Sequence, residues 1–306
     1  MVKPFDLIRT AKEKLIHSDT PQLDAEVILS YVLGKDRIYL FLNRNEEISS
    51  KNEETFNKLI ERRSKGEPVA YIVGSKEFMG LDFKVKPGVL IPRGDTEILV
   101  EEIIKRTQEN HLTIEKALGN EEIDGIQKDN LIIVDIGCGS GAISIALAKY
   151  IEKSMVYALD IMEVPVETTK ENAKLNQVEN RVKAIKSDLM SELDRKFEGN
   201  IDVIVSNPPY IEQKEYEQLM VDVKKFEPKS ALTDEGDGLE FYRRITAEAA
   251  VYLKKNGLLA YEIGYDQAES VSKIMRENGF CKVECIKDLG DKDRVIVGYY
   301  IGLGQE

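Results

Sequence analysis

Histidine is nearly missing from this chain: His17 and His111 are the two present in 306 residues. A reaction built on a histidine general base therefore has few places to sit. Cysteine is almost as scarce. Cys138, Cys281 and Cys285 cannot make a disulfide framework. With no histidine near Cys281 and Cys285 a metal site is not expected, and all three are expected as buried free thiols. No run of 18 apolar residues occurs, which argues against a membrane-crossing helix. The opening residues lead into an amphipathic pattern and not into a signal peptide, so a cytoplasmic protein is expected. A basic surplus is missing too. Residues 1–107 hold 18 basic and 18 acidic residues, so the net charge of −12 is carried by the rest. Such an acidic region lacks the footprint of a protein that grips many phosphates. The plainer reading is that surface charge keeps the protein soluble; either way a long nucleic-acid track is disfavoured.

Against these absences one short stretch stands out. Asn207-Pro208-Pro209-Tyr210 follows the apolar run Ile201 to Val205, which reads as a buried parallel strand. It therefore lies at the carboxyl end of a strand, where open α/β sheets bind ligands. Two prolines have no N–H and a fixed φ, so the turn is stiff and rich in carbonyls without a local donor. Asn207 adds an acceptor oxygen and Tyr210 a flat ring with a hydroxyl. A rigid cluster of acceptors beside an aromatic ring suits holding a planar –NH2 group. Asn-Pro-Pro is also an ordinary turn; its place after a strand favours the functional reading.

In chain order, residues 1–66 read as a small helical domain, with apolar faces at Leu7, Ala11 and Leu15, at Leu23 to Leu33 ended by Gly34, and at Phe56 to Arg63. It is either a recognition surface or a stabilising cap. Residues 67–92 read as a β-hairpin linker, with strands over Val69–Gly74 and Phe78–Val85. Asp95 or Thr96 is placed to cap a helix running to about Arg106. Residues 107–130 are polar and read as an exposed connection. Residues 93–306 form the main domain, where strands at 131–136, 155–159, 182–186, 201–205 and 258–263 alternate with helices, as in a doubly wound, mostly parallel sheet. Val283–Lys287 and Arg294–Tyr300 are joined by so short a turn that they must be antiparallel.

Gly137-Cys138-Gly139-Ser140-Gly141 follows the first strand of this domain and opens a helix. The spacing is G-x-G-x-G and not the G-x-G-x-x-G of dinucleotide pockets. Asp135 precedes the loop, where a carboxylate repels a pyrophosphate and suits a cation. Asp160 ends the second strand, placed to accept two ribose hydroxyls. Ser187 and Asp188 end the third, placed to meet an adenine edge. Each aspartate alone reads equally as a helix cap. Together they favour S-adenosylmethionine, which carries a sulfonium and an ammonium.

Several segments carry a family resemblance: Gly66 to Ile72 with Gly74, Leu90 to Arg93 with Asp95 to Glu97, Asp135 to Gly141, Asn207 to Tyr210, Phe226 to Pro228, Gly238-Leu239 with Tyr242-Arg243, and Asp293 to Val295. In these the chain resembles the protein-(glutamine-N5) methyltransferases that modify class 1 peptide chain release factors. The likeness covers nearly the whole chain; Asn207 to Tyr210 is shared with DNA adenine methyltransferases. The resemblance implies a seven-stranded, mostly parallel methyltransferase sheet with an N-terminal helical domain that helps to dock the release factor. It implies transfer to the glutamine of that factor's Gly-Gly-Gln tip, with S-adenosylhomocysteine as product. Its site residues are Gly137, Cys138, Gly139, Ser140, Gly141, Asp160, Asp188, Leu189 and Asn207 for the cofactor. Asn207, Pro208, Pro209 and Tyr210 serve the target, with Asn207, Pro208 and Tyr210 catalytic. Three positions depart from the pattern: Gly94 stands where the family usually has proline, Pro165 falls early in a helix, and Leu189 stands where some members carry a large aromatic against the adenine.

An amide nitrogen is a poor nucleophile because its lone pair is delocalised. It must be held about 3–3.5 Å from the methyl, in line with the bond that breaks. The Asn207 oxygen and the Pro208 carbonyl are expected to accept its two N–H bonds, with Tyr210 packed on the flat amide and no general base needed. The alternative is a nucleic-acid methyltransferase acting on an exocyclic amine, adenine N6 or guanine N2, after base flipping. A more distant alternative is a nicotinamide-dependent dehydrogenase, disfavoured by the glycine spacing and the antiparallel pair.

Overall fold

The computed structural model describes residues 2–114 and 130–302. Helices α1 (Pro4–Lys14), α2 (Pro21–Leu33), α3 (Arg37–Leu42), α4 (Ser50–Ser64) and α5 (Val69–Val73) come first. Proline opens α1 and α2, where its missing N–H costs nothing. Gly34 closes α2 at φ +61°, and the Ser49 side chain caps α4 by accepting from the Asn52 N–H. Their apolar faces meet in one core around Leu7, Ala25, Ile28, Phe56 and Ile60.

One expectation fails here. Val69–Val73, expected as a strand, is helical. Pro68 precedes it and Gly74 ends it at φ +76°, while Tyr71 and Ile72 are buried. β-Branched residues favour strands only weakly, and packing overrides the preference. The hairpin is shorter than expected, β1 (Ser75–Phe78) with β2 (Leu81–Lys84). Helix α6 (Asp95–Ile114) also runs past the expected Arg106, because no glycine or proline stops it. The rest of the expected polar connection, residues 115–129, lies outside the described residues.

The remaining elements are β3 (Leu131–Ile136), α7 (Ala142–Tyr150), β4 (Ser154–Asp160), α8 (Glu163–Leu175), β5 (Val182–Lys186), β6 (Ile201–Ser206), α9 (Gln213–Tyr216), α10 (Val221–Phe226), α11 (Glu240–Tyr252), β7 (Leu253–Glu262), α12 (Ala268–Glu277), β8 (Phe280–Lys287) and β9 (Asp293–Tyr300). Pro165 falls in the first turn of α8, where it is tolerated. Seven strands form one sheet in the order β5-β4-β3-β6-β7-β9-β8. All pairings are parallel except those of β9, which runs antiparallel to both β7 and β8. The chain makes two compact units, one of Met1–Ser75, Val85–Pro87 and Leu219–Glu227, the other of the remaining residues.

Period-two alternation divides the central strands between two cores. Ile133, Ala158, Val205 and Ala260 face α6 and α7. Ile132, Leu159, Ile204 and Leu259 face α11 and α12. All three cysteines are free and Cys138 is buried as expected, but Cys281 is partly exposed and Cys285 exposed; β8 is an edge strand, so its side chains are covered less. No helix among the described residues is long and apolar enough to cross a membrane.

Ile133 sits on a central strand with no exposed surface. Ile133→Ala is expected to cost about 2–5 kcal/mol through lost burial and a cavity, read as a lowered urea midpoint with the slope unchanged. A midpoint equal to wild type contradicts this placement of the core.

Candidate active site

Strand register aligns the site. Ile136 of β3 pairs with Leu159 of β4 and with Ser206 of β6, and Ser206 pairs with Tyr261 of β7. The next residue on each strand therefore falls in one row across the sheet: Asp160, Gly137, Asn207, Glu262. The chain leaves β3 toward β4 and β5, then returns to β6 on the other side of β3. The row straddles this switch point, where open α/β sheets bind ligands.

A cavity of about 360 Å³ opens over the row. Of the residues expected at the site, Gly137, Cys138, Gly139, Ser140, Asp160, Asp188, Leu189, Asn207, Pro208 and Pro209 line it. Gly141 and Tyr210 are not on its wall. Arg93 and Thr96 are.

The glycine loop is open to a ligand. A Cβ on Gly137 would meet no atom within 4 Å, so bare backbone faces the space. Gly141 serves the fold instead: its Cβ would come within 2.8 Å of the Thr169 side chain, at φ +81°. The Asp160 carboxylate takes the Gly139 N–H at 3.1 Å on Oδ2 and the Met162 N–H at 3.0 Å on Oδ1. Each oxygen keeps acceptor capacity for a vicinal diol. Burial pushes the Asp160 carboxyl above its ordinary value, against those backbone bonds. Leu189 holds φ +49°, unusual for leucine, with its carbonyl accepting the Ser187 hydroxyl at 2.7 Å. Asp188 pairs with Arg244 at 2.9 Å, both side chains about half exposed. Bare backbone, a paired-acceptor carboxylate and a buried leucine on one cavity wall fit a nucleoside joined to an amino acid.

Asp135 does something other than expected. It does not line the cavity. Alternation carries it to the face that α7 covers, where Oδ2 accepts the Ser144 N–H at 3.1 Å and the Ser144 hydroxyl at 2.5 Å. It thus completes the first turn of α7. Its Oδ1 is buried with no partner among the described residues.

The elbow after β6 is held by groups that pattern reading passed over. Asn207 Nδ2 donates to Thr96 Oγ1 at 3.2 Å. Thr96 in turn donates to Glu262 Oε2 at 2.5 Å, and the Tyr210 hydroxyl donates to Glu262 Oε1 at 3.3 Å. The Tyr210 hydroxyl is thereby anchored to Glu262. Burial and Glu262 push the Tyr210 hydroxyl pKa up. Behind the elbow, Gln267 Nε2 donates to the Tyr210 carbonyl at 3.0 Å, while Gln267 Oε1 accepts from the Tyr242 hydroxyl and the Gly264 N–H. Gly238 lies so close that a Cβ there would collide with the Tyr210 carbonyl. Thr96 reads in sequence as a cap, and Glu262 as the polar end of an apolar strand. The available signal was alignment: four apolar runs ending level put Glu262 beside Asn207.

Residues 6–74 match the family model described as PrmC N-terminal domain, and residues 123–239 match that described as Methyltransferase small domain. A release factor glutamine methyltransferase of Clostridium botulinum is 44% identical over 275 residues, 90% of this chain and 90% of that one. One from Fusobacterium nucleatum is 45% identical over 278 residues, 90% of this chain and 73% of that one. One from Clostridium acetobutylicum is 39% identical over 303 residues, 99% of this chain and 98% of that one.

Burial pushes Asp135 up to about 7 from its ordinary 3.8, against the two Ser144 bonds. Between these values the unfolded chain has released a proton that the folded chain keeps, so this residue's contribution to stability falls as pH rises through the window and is level above it. Asp135→Asn has no proton to release there. Its stability relative to wild type, from urea unfolding at a series of pH values, is expected to rise between pH 3.8 and about 7 and then flatten. A pH-independent difference contradicts the account.

Proposed function

The chain belongs to the release factor glutamine methyltransferase family, and from that premise we propose that it methylates the side-chain amide nitrogen of the glutamine in the Gly-Gly-Gln tip of a class 1 peptide chain release factor. It is an S-adenosylmethionine-dependent methyltransferase. The observation that carries the site reading is that Asn207, Pro208 and Pro209 line the same cavity as the glycine loop and Asp160.

The loop from Gly137 to Ser140 would give backbone to the donor's amino-acid end, Asp160 would take the ribose hydroxyls, and Leu189 would cover the base with Asp188 at its edge. Bound there, S-adenosylmethionine supplies an electrophilic methyl: the N–C bond forms as the C–S bond breaks, the thioether of S-adenosylhomocysteine leaves, and the nitrogen's surplus proton passes to water.

The chain's own residues make the amide react. Asn207 Oδ1 and the Pro208 carbonyl accept its two N–H bonds and so fix the nitrogen. The Pro209 ring fixes its own φ and so stiffens the turn that carries the Pro208 carbonyl. As positive charge grows on the nitrogen, both acceptors hold its hydrogens more tightly than in the ground state, and that difference lowers the barrier. No base is needed before attack, because the proton becomes acidic only once the N–C bond has formed. Tyr210, tied to Glu262, stiffens the elbow from behind.

With labelled S-adenosylmethionine, label is expected on release factor and not on DNA or RNA offered in parallel. Asn207→Ala is expected to lower kcat by on the order of 10²-fold while leaving S-adenosylhomocysteine binding partly intact. Near wild-type kcat in that variant, or label on nucleic acid, overturns this reading.

A further inference from the structure

We propose that Thr96 and Glu262 are positioning residues for the transfer, setting which end of the Asn207 carboxamide faces the target. The inference rests on the role given to Asn207 above.

A carboxamide is nearly symmetric in shape, and turning it end for end exchanges an acceptor for two donors. A target –NH2 needs the acceptor. Turned the wrong way, Asn207 would set donors against donors at the one place where the nitrogen must be held. Packing hardly distinguishes =O from –NH2, so the choice has to be made by a hydrogen-bond partner.

That partner is Thr96, and its polarity comes from Glu262. Both side chains are buried, at 5% and 2% exposure. A hydroxyl has one proton to give, and an ionised carboxylate can only accept. Thr96 therefore spends its proton on Glu262 Oε2 at 2.5 Å. What it offers Asn207 is a lone pair. Asn207 turns Nδ2 to it at 3.2 Å, and Oδ1 is left for a ligand.

The same carboxylate reaches the far end of the elbow, since Oε1 accepts from Tyr210. Two of the elbow's four residues are thus referred to one buried charge. Burial pushes the Glu262 carboxyl above its ordinary value, and the bonds from Thr96 and Tyr210 and the nearby Arg294 charge act in the opposite direction, toward the ionised form. Arg294 is held by Asp288 at 3.0 Å and Asp95 at 3.3 Å. Neither Thr96 nor Glu262 needs to touch the substrate for this: one carboxylate sets the hydroxyl, and the hydroxyl sets the amide.

The test uses the full chain with S-adenosylmethionine and release factor, plus calorimetric binding of S-adenosylhomocysteine. Thr96→Val keeps shape and removes the hydroxyl. It is expected to lower kcat by on the order of 10²-fold, as for a misplaced reacting group, with donor KM and S-adenosylhomocysteine affinity near wild type. Thr96→Ser restores the hydroxyl and is expected to restore kcat. Glu262→Gln can offer –NH2 to Thr96, which frees the hydroxyl to donate to Asn207 and reverses the amide, so kcat is expected to fall there too. Wild-type kcat in Thr96→Val or Glu262→Gln overturns the proposal. So does a Thr96→Ser variant as impaired as Thr96→Val, or a fall in kcat matched by lost S-adenosylhomocysteine binding, which marks a structural role. If the wild-type enzyme leaves release factor unmethylated, the substrate reading fails and this inference with it; normal wild-type turnover with an unimpaired Thr96→Val overturns this inference alone.

Discussion

Everything at the site depends on the register of four parallel strands. With Leu159, Ile136, Ser206 and Tyr261 level across the sheet, the strands end together. Alternation then sends Asp160, Asn207 and Glu262 to a single face. A slip of one residue on any strand would turn its terminal side chain to the opposite face. The slip is resisted by burial, because Ile133, Val156, Val203, Val205 and Ala260 would all have to leave their core. Hydrophobic burial distributed over the sheet thereby sets the positions of a few polar atoms at its edge.

Those polar atoms are costly, and the structure compensates each in its own way. Asp135 closes the start of α7 while keeping one oxygen without a partner, and its raised pKa is the trace of that burial. Glu262 is as deeply buried but has both oxygens occupied. Burial raises the Glu262 pKa as well, but there the Thr96 and Tyr210 bonds and the Arg294 charge favour the ionised form. The two acids differ in what they hold: Asp135 the first turn of α7, Glu262 the residues around the elbow.

Much of this was legible in the sequence. Gly137 to Gly141 and Asn207 to Pro209 announce themselves because their chemistry is local: missing side chains, missing N–H groups, a strand just before. Asp160 is legible for the same reason. The helix at Val69–Val73 was not, because four β-branched and aromatic residues among five look like a strand until the packing that buries Tyr71 and Ile72 is known. Asp135 was misplaced since its neighbours in sequence are the loop, whereas its neighbours in space are the first turn of α7. Thr96 and Glu262 lie 166 positions apart, so no local pattern can join them. The bond that ties the Tyr210 hydroxyl to Glu262 spans 52 positions and is hidden from local pattern in the same way.

The central claim is that acceptor oxygens of a stiff elbow grip a flat carboxamide, with Asn207 turned by Thr96 and Glu262. The most direct measurement is a high-resolution crystal structure of the enzyme with S-adenosylhomocysteine and a Gly-Gly-Gln peptide. The account expects the glutamine nitrogen within hydrogen-bond reach of Asn207 Oδ1 and the Pro208 carbonyl, with Asn207 Nδ2 still on Thr96. A glutamine lying elsewhere, or Asn207 presenting Nδ2 to it, would contradict the account.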